Sequence, residues 1–265
     1  MKAFSLQGEW AFILGSSSGF GMAIAKELAS RGMNIFGVHF DRKSAMEQIN
    51  KDIEEMKANG VAVEFFNMNA ADEEKRKETI PKMKEKIGDK PIRTIVHSLA
   101  FGSLKTYFGD TEKDELIQAQ IEMTINVMAN SLVYWTQDLR RAGLVGQGTR
   151  IFGMTSAGGH RVWQSYGAVS AAKAALESHI RQIALELAPH GVRANSICAG
   201  VTDTPALRKI PGNEKMIEIA TQRNPSGRLT TPEDVAQAIA VLSLPEADWI
   251  TGNVIHADGG EGIVG

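Results

Sequence analysis

Trp10-Ala11-Phe12-Ile13-Leu14-Gly15-Ser16-Ser17-Ser18-Gly19-Phe20-Gly21-Met22 is the stretch on which the fold turns. It reads as a short apolar run, a turn holding three glycines, and the opening of a helix patterned over residues 21–30. An uninterrupted apolar run of this length suits a strand covered on both faces. Glycines let the backbone turn tightly and approach a ligand closely. The first turn of the next helix offers unpaired N–H groups at the positive end of its dipole. Strand, turn and helix therefore follow in the order that a dinucleotide pyrophosphate site requires. From the turn alone, a bend needing positive φ for steric reasons is the competing account.

Outward from this unit the same alternation repeats. Apolar β-like runs fall at 10–14, 34–39, 62–67, 94–97, 150–155, 193–198 and 253–257, with helix-patterned segments at 21–30, 43–59, 73–87, 113–137, 168–187 and 232–242. Gly60 and Pro189 stand where helices should stop. No linker, repeat or low-complexity stretch interrupts the 265 residues, so residues 1–265 are expected to form one α/β domain, a Rossmann-type doubly wound parallel sheet with helices on both faces. The polar, Pro- and Gly-rich stretch 202–228, with a short helix near 214–221, should lie over the carboxyl ends of the strands, where such sheets bind ligands.

A net charge of −2 with 23% charged residues lacks the basic excess expected of a nucleic-acid or anionic-membrane partner, and neither is expected. Cys198 is the single cysteine, so no intramolecular disulfide or thiolate cluster can form. His97, His160 and His179 show no metal-ligand spacing, and no metal is expected. Residues 1–9 and the short run after them do not read as a signal peptide or a span, which makes the cytoplasm the expected compartment.

The spacing Gly15-x3-Gly19-x-Gly21 resembles that of short-chain dehydrogenases/reductases, and the resemblance extends over nearly the whole chain. It is carried further by Asn126 in the fourth helix, Ser156 after the fifth strand, Val192-Arg193-Ala194-Asn195-Ser196-Ile197, Ala199-Gly200-Val201-Thr202-Asp203-Thr204 and Asp258-Gly259-Gly260. Ordinary members of that family place serine, tyrosine and lysine as Ser-x12-Tyr-x3-Lys. Here position 169 is Val169, Lys173 is in place, and the tyrosine comes three residues early as Tyr166-x6-Lys173. At about 100° per residue, separations of four and seven put both partners on one helix face. If the helix already includes residue 166, the tyrosine's root moves by roughly 4.5 Å along the axis.

Tyr-x6-Lys resembles the enoyl-acyl-carrier-protein reductases of this superfamily, as do Val96-His97-Ser98-Leu99-Ala100-Phe101 and the 202–229 region. Ser156, ten residues before Tyr166, is more similar to their NADPH-linked branch than to NADH-linked members, which carry a second tyrosine there. The resemblance implies reduction of the 2,3 double bond of an enoyl thioester on acyl carrier protein or CoA, in fatty-acid synthesis. The catalytic set would be Tyr166, Lys173, Ser156 and Asn126. Tyr166 would act as hydrogen-bond or proton donor, its pKa lowered by the Lys173 ammonium. Ser156 is otherwise a turn serine, Tyr166 otherwise a core-packing ring, and Asn126 otherwise a residue satisfying backbone at a helix irregularity. Cofactor contacts would come from Gly15, Ser17, Ser18, Gly19, Phe20, Gly21, Phe40, Asp41, Arg42, Asn69, Ser98, Ala100, Lys173, Gly200, Thr202 and Thr204. Asn69, at the end of the third strand, would meet the adenine.

Cofactor choice rests on His39-Phe40-Asp41-Arg42-Lys43. Basic residues there favour a ribose 2′-phosphate and acidic ones a free hydroxyl. Phe40 in the usual aspartate position and Arg42-Lys43 beyond it point to NADPH, with NADH the alternative and a solvated Asp41–Arg42 pair the bland account. Met123, Met128, Trp135 and Leu139 lie on a helix that resembles the subunit-pairing helix of the family, so they serve packing or a homotetramer or homodimer interface. Ser156 with Asn126 keeps a ketone reductase open as a second reading, and an idle nucleotide-binding regulator as a third.

Overall fold

The computed structural model describes residues 6–264, and residues 1–5 of the expected leader-free start lie outside them. Among the described residues seven strands form one all-parallel sheet: β1 (Trp10–Leu14), β2 (Asn34–His39), β3 (Val63–Asn67), β4 (Thr94–His97), β5 (Arg150–Ser156), β6 (Arg193–Ala199) and β7 (Val254–Ala257). Their order is β3-β2-β1-β4-β5-β6-β7. All seven expected strands are present. Two begin one residue late because an asparagine side chain takes the first backbone N–H: Ala62 donates to Asn34 Oδ1 at 2.8 Å, and Asn253 to Asn195 Oδ1 at 3.1 Å.

Successive strand residues face opposite sides, and both sides are covered. Phe12, Leu14, Phe36 and Val38 pack toward α3 (Glu73–Ile87), α5 (Ser131–Arg141) and α6 (Gly167–Leu187) through Ile80, Met83, Trp135, Leu176 and Ile180. Ala11, Ile13, Ile35, Val96 and Phe152 pack toward α1 (Gly19–Ser30), α2 (Met46–Lys57) and α8 (Pro232–Leu242) through Ile24, Leu28, Met56, Val235 and Ile239. This two-sided burial is why the strands read as continuous apolar runs rather than alternating ones.

The helices differ from expectation at their ends. The first starts at Gly19, inside the glycine turn. The segment 43–59 splits into a 3-10 turn, Lys43–Ala45, and α2. The segment 113–137 is not one helix. Residues 113–117 are not helical: 113–114 lie in a turn and Glu115 forms an isolated bridge with Thr106, with Leu116 N–H on the Thr106 carbonyl at 2.9 Å. Helix α4 (Gln118–Ile125) follows, then a π-helical stretch, Asn126–Asn130, and then α5. Trp135 and Leu139 are fully buried and Met128 nearly so, with Trp135 Nε1 donating to the Ala70 carbonyl at 2.8 Å, so these three serve packing. The short helix expected near 214–221 is α7 (Asn213–Arg223). No helix among the described residues is long and apolar enough to cross a membrane.

The chain leaves β1 toward β2 and β3, then returns to the opposite side of β1 with β4. That reversal opens a crevice at the carboxyl ends of β1 and β4, the general ligand site of open α/β sheets.

Candidate active site

The glycine turn is shaped by close backbone approach. Gly15 has φ +88°, and a Cβ there would collide with the carbonyl of Ser98 at the end of β4. A Cβ on Gly21 would collide with the Gly15 carbonyl, and one on Gly19, at φ +52°, would face the Thr204 side chain at 3.6 Å. Ser18 occupies the N-cap position of α1 in extended backbone, with no capping bond from its side chain, so its hydroxyl and the helix amides stay available. Ser16 differs. It is fully buried and donates to the Val38 carbonyl at 3.3 Å, which explains the turn without any ligand. The absent side chains leave a backbone-lined cradle that fits a pyrophosphate. Ser17 and Phe20 flank it, both half-buried.

At the end of β2, Phe40 is 73% exposed and Arg42 and Lys43 are exposed. Asp41 pairs with His39, Oδ2 to Nδ1 at 3.0 Å, rather than with Arg42. Its backbone is clamped by Asn67, which accepts the Asp41 N–H at 3.1 Å and donates to its carbonyl at 3.0 Å. Asn67 was not among the expected site residues, although it is the register partner of His39. Asn69 lies two residues beyond the end of β3, not at it. Its Oδ1 accepts Ala71 N–H at 3.0 Å in a local turn, which leaves the amide nitrogen facing out on an exposed residue.

Ser98, Ala100, Gly200, Thr202 and Thr204 gather on the same rim. Ser98 N–H donates to the Leu14 carbonyl at 2.8 Å, which ties β4 to β1. Thr202 is buried and donates to the Gly200 carbonyl at 3.0 Å, and Thr204 Oγ1 caps the following 3-10 turn by accepting Leu207 N–H at 3.2 Å. A Cβ on Gly200 would strike Thr230 Oγ1, so this loop too depends on a missing side chain.

Tyr166 does not lie inside a helix. It is the N-cap of α6, with φ −102° and ψ 2°, and Ser165 before it adopts φ +61°, a left-handed conformation that strains a non-glycine residue. The 4.5 Å axial displacement therefore does not apply, because the chain has already left the helix at residue 166. Val169, which stands where ordinary relatives carry tyrosine, is 4% exposed in a cluster with Val127, Met128 and Ala172. The Tyr166 ring packs against that cluster. A Cβ on Gly158 would strike the ring and come within 3.2 Å of Ser156 Oγ, so Gly158 lets both meet. Ser156 Oγ is buried with no hydrogen-bond partner.

The Lys173 ammonium is buried and donates to the Met154 carbonyl at 2.6 Å, and burial lowers its pKa to about 8. This corrects the expected electrostatics. Burial raises the Tyr166 phenol above its ordinary value, and the nearby Ser156 hydroxyl opposes that rise. Asn126 opens the π-helical stretch, so a helix irregularity does occur there. Such stretches are frequent at functional sites.

Behind this set lies a buried acid that sequence reading passed over. Glu177 accepts from Thr155 Oγ1 at 2.6 Å and lies 3.1 Å from His160. An acid one turn after Lys173, on the apolar side of a patterned helix, was the available signal. His97 is buried, its Nε2 lies 2.8 Å from Ser131 Oγ, and burial lowers its pKa to about 3. His179 Nε2 lies 3.0 Å from Asn130 Oδ1. Among the described residues no three His, Cys, Asp or Glu side chains gather as metal donors.

Comparison with known proteins adds to this geometry. Residues 15–261 match the family model described as enoyl-(acyl carrier protein) reductase. An uncharacterized oxidoreductase of Bacillus subtilis, YjdA, is 30% identical over 96% of this chain and 97% of its own. A 3-oxoacyl-[acyl-carrier-protein] reductase, FabG, of Thermotoga maritima is 26% identical over 96% and 98%. The crystal structure of enoyl-[acyl-carrier-protein] reductase (NADH) from Aquifex aeolicus superposes with a TM-score of 0.83 at 28% identity, covering 98% of each chain. With a match over nearly its whole length, this chain belongs to the short-chain dehydrogenase/reductase oxidoreductases, in the family described as enoyl-(acyl carrier protein) reductase.

Proposed function

We propose that the chain reduces the 2,3 double bond of an enoyl thioester, carried on acyl carrier protein or CoA, in fatty-acid synthesis. One observation carries the reading. The ordinary tyrosine position is a buried valine, while Tyr166 stands at the N-cap of α6 with the unpartnered Ser156 hydroxyl beside its ring. Reduced nicotinamide supplies the hydride. As hydride adds to the β-carbon, the π electrons move onto the thioester oxygen as an enolate, and a proton taken from water at the α-carbon completes the reduction. The Tyr166 hydroxyl donates to that oxygen, with Ser156 Oγ as a second donor; positioned acid assistance of this kind is typically worth about 10² to 10⁴ in rate. Lys173 would hold the nicotinamide ribose. The stretch 202–228, which carries Leu207, Ile210 and α7, covers the acyl chain.

The residues of the glycine turn, the rim of β4 and the 200–204 loop would hold the dinucleotide. NADPH is the proposed cofactor because the Asp41 carboxylate is engaged with His39, leaving Arg42 and Lys43 to meet a 2′-phosphate. A cytoplasmic homotetramer or homodimer completes the proposal. Light scattering in solution tests the assembly.

Ketone reduction is the second reading, supported by the Ser156 hydroxyl facing Tyr166 and by the 3-oxoacyl reductase relative. Steady-state assays with crotonyl and acetoacetyl thioesters, each with NADPH and NADH, separate the two. Turnover of crotonyl thioester that falls by about 10² or more in Tyr166→Phe is the expected outcome. Turnover of acetoacetyl thioester alone would replace the enoyl reading.

A further inference from the structure

We propose that Glu177 is a positioning residue for this site: its buried carboxylate joins β5, α6 and the loop carrying Tyr166, and sets a negative charge behind the Lys173 ammonium. The inference rests on the roles assigned above to Tyr166 and Lys173. Glu177 follows Lys173 by one turn, so both project from the same face of α6. Thr155 Oγ1 donates to Glu177 Oε1 at 2.6 Å, and Glu177 Oε2 lies 3.1 Å from Nε2 of His160. The consecutive β5 residues Met154 and Thr155 therefore hold Lys173 and Glu177, and the next residue, Ser156, sits beside the Tyr166 ring.

His160 comes from the loop between Ser156 and Tyr166 and is 64% exposed, whereas Glu177 is 3% exposed. The contact thus pins that loop from its solvent side onto the interior. A Cβ on Gly159 would come within 3.0 Å of Glu177 Oε1, so glycine is what lets the loop backbone pass over the carboxylate.

The charges around Lys173 leave Glu177 as its counterpart. Facing the ammonium are Glu177 from α6, Cys198 from β6 and His97 from β4. The Cys198 thiol is pushed up to about 12 and His97 down to about 3, so both are neutral near pH 7. Facing the carboxylate are Lys173, Cys198 and His160; Asp258 and Glu261 from the segment after β7, and Arg161 from the loop between Ser156 and Tyr166, act on Cys198. Removing the carboxylate charge lowers the Lys173 titration. For charges about 6 Å apart at an effective dielectric constant of about 20 to 80, the shift is roughly 0.5 to 2 pH units.

The test uses the full chain with 13C-labelled lysine, the Lys173 resonance being assigned by its loss in Lys173→Arg. In Glu177→Gln the Lys173 midpoint should fall by that amount, and the alkaline limb of kcat/KM should move with it. In His160→Ala the midpoint should stay in place, while hydrogen exchange across residues 157–166 rises and KM rises more than kcat falls. Glu177→Asp, which retains the charge at shorter reach, should hold the midpoint near wild type and serves if Glu177→Gln does not fold; a midpoint displaced as far as complete charge removal predicts would overturn the electrostatic role. An unchanged midpoint in folded Glu177→Gln would do the same, and unchanged exchange in His160→Ala would overturn the pinning. If wild-type protein turned over neither thioester, the proposed reaction would fall alone, because the titration and exchange read the coupling without turnover.

Discussion

Replacing Ser156 by alanine should make this protein more stable and much slower. Its Oγ is buried with no protein partner at full hydrogen-bond geometry, and the Tyr166 hydroxyl that it influences satisfies it only weakly. Such a group costs about 1–3 kcal/mol. Alanine removes it with little change of shape, and a net gain near 1 kcal/mol should raise Tm by about 2–4 °C in a chain of this size. In the proposed reaction the same hydroxyl donates to the developing enolate, and loss of one such donor lowers kcat by about 10² to 10³. Opposite signs for stability and rate are what a strained functional donor predicts. Ser16 is the control, because it is equally buried but donates to the Val38 carbonyl. Ser16→Ala should lose about 1 kcal/mol. Calorimetry of the ligand-free variants, paired with steady-state consumption of NADPH on crotonyl thioester, reads both quantities. A lower Tm in Ser156→Ala, or a kcat/KM within about threefold of wild type, would refute the reasoning.

Three further outcomes follow from the same structure. Lys173 titrates near 8 in the fold against 10.5 for the free side chain, so the unfolded chain binds more protons between those values. Stability should therefore rise with pH across that window, by roughly 3 kcal/mol from this group, and the rise should be missing from denaturant curves of Lys173→Met. Arg42→Ala should raise KM for NADPH by about 10- to 100-fold, the worth of a hydrogen bond between charged groups, and leave KM for NADH nearly unchanged; equal effects on both would remove the proposed 2′-phosphate contact. Ser165 holds φ +61°, so Ser165→Gly should stabilise the ligand-free protein by about 1 kcal/mol, and Ser165→Val should destabilise it, as urea unfolding will show.

The strand positions were legible because burial on both faces leaves an apolar run that needs no partner to be recognised. The glycine turn was legible for a similar reason, since each glycine answers to a local steric demand. Asn126 was legible as a possible irregularity but not as a π-helical stretch, because whether α4 runs straight depends on its packing against α6. The splitting of 113–137 came from a bridge to Thr106, a contact that helical periodicity does not encode.

The order of apolar runs, the glycine spacing and the Tyr166-x6-Lys173 separation are properties of the chain alone, because each follows from distances counted along it. Where those side chains end up was decided by contacts between distant segments. Ser165 turns left-handed, so Tyr166 leaves the helix. The Met154 carbonyl, nineteen residues before Lys173, accepts from its ammonium. His39 and Asn67 turn Asp41 inward. A one-dimensional pattern records which groups are present and on which face. The field each group feels is set by burial and by partners that the sheet brings alongside, and these exist once the strands are in register.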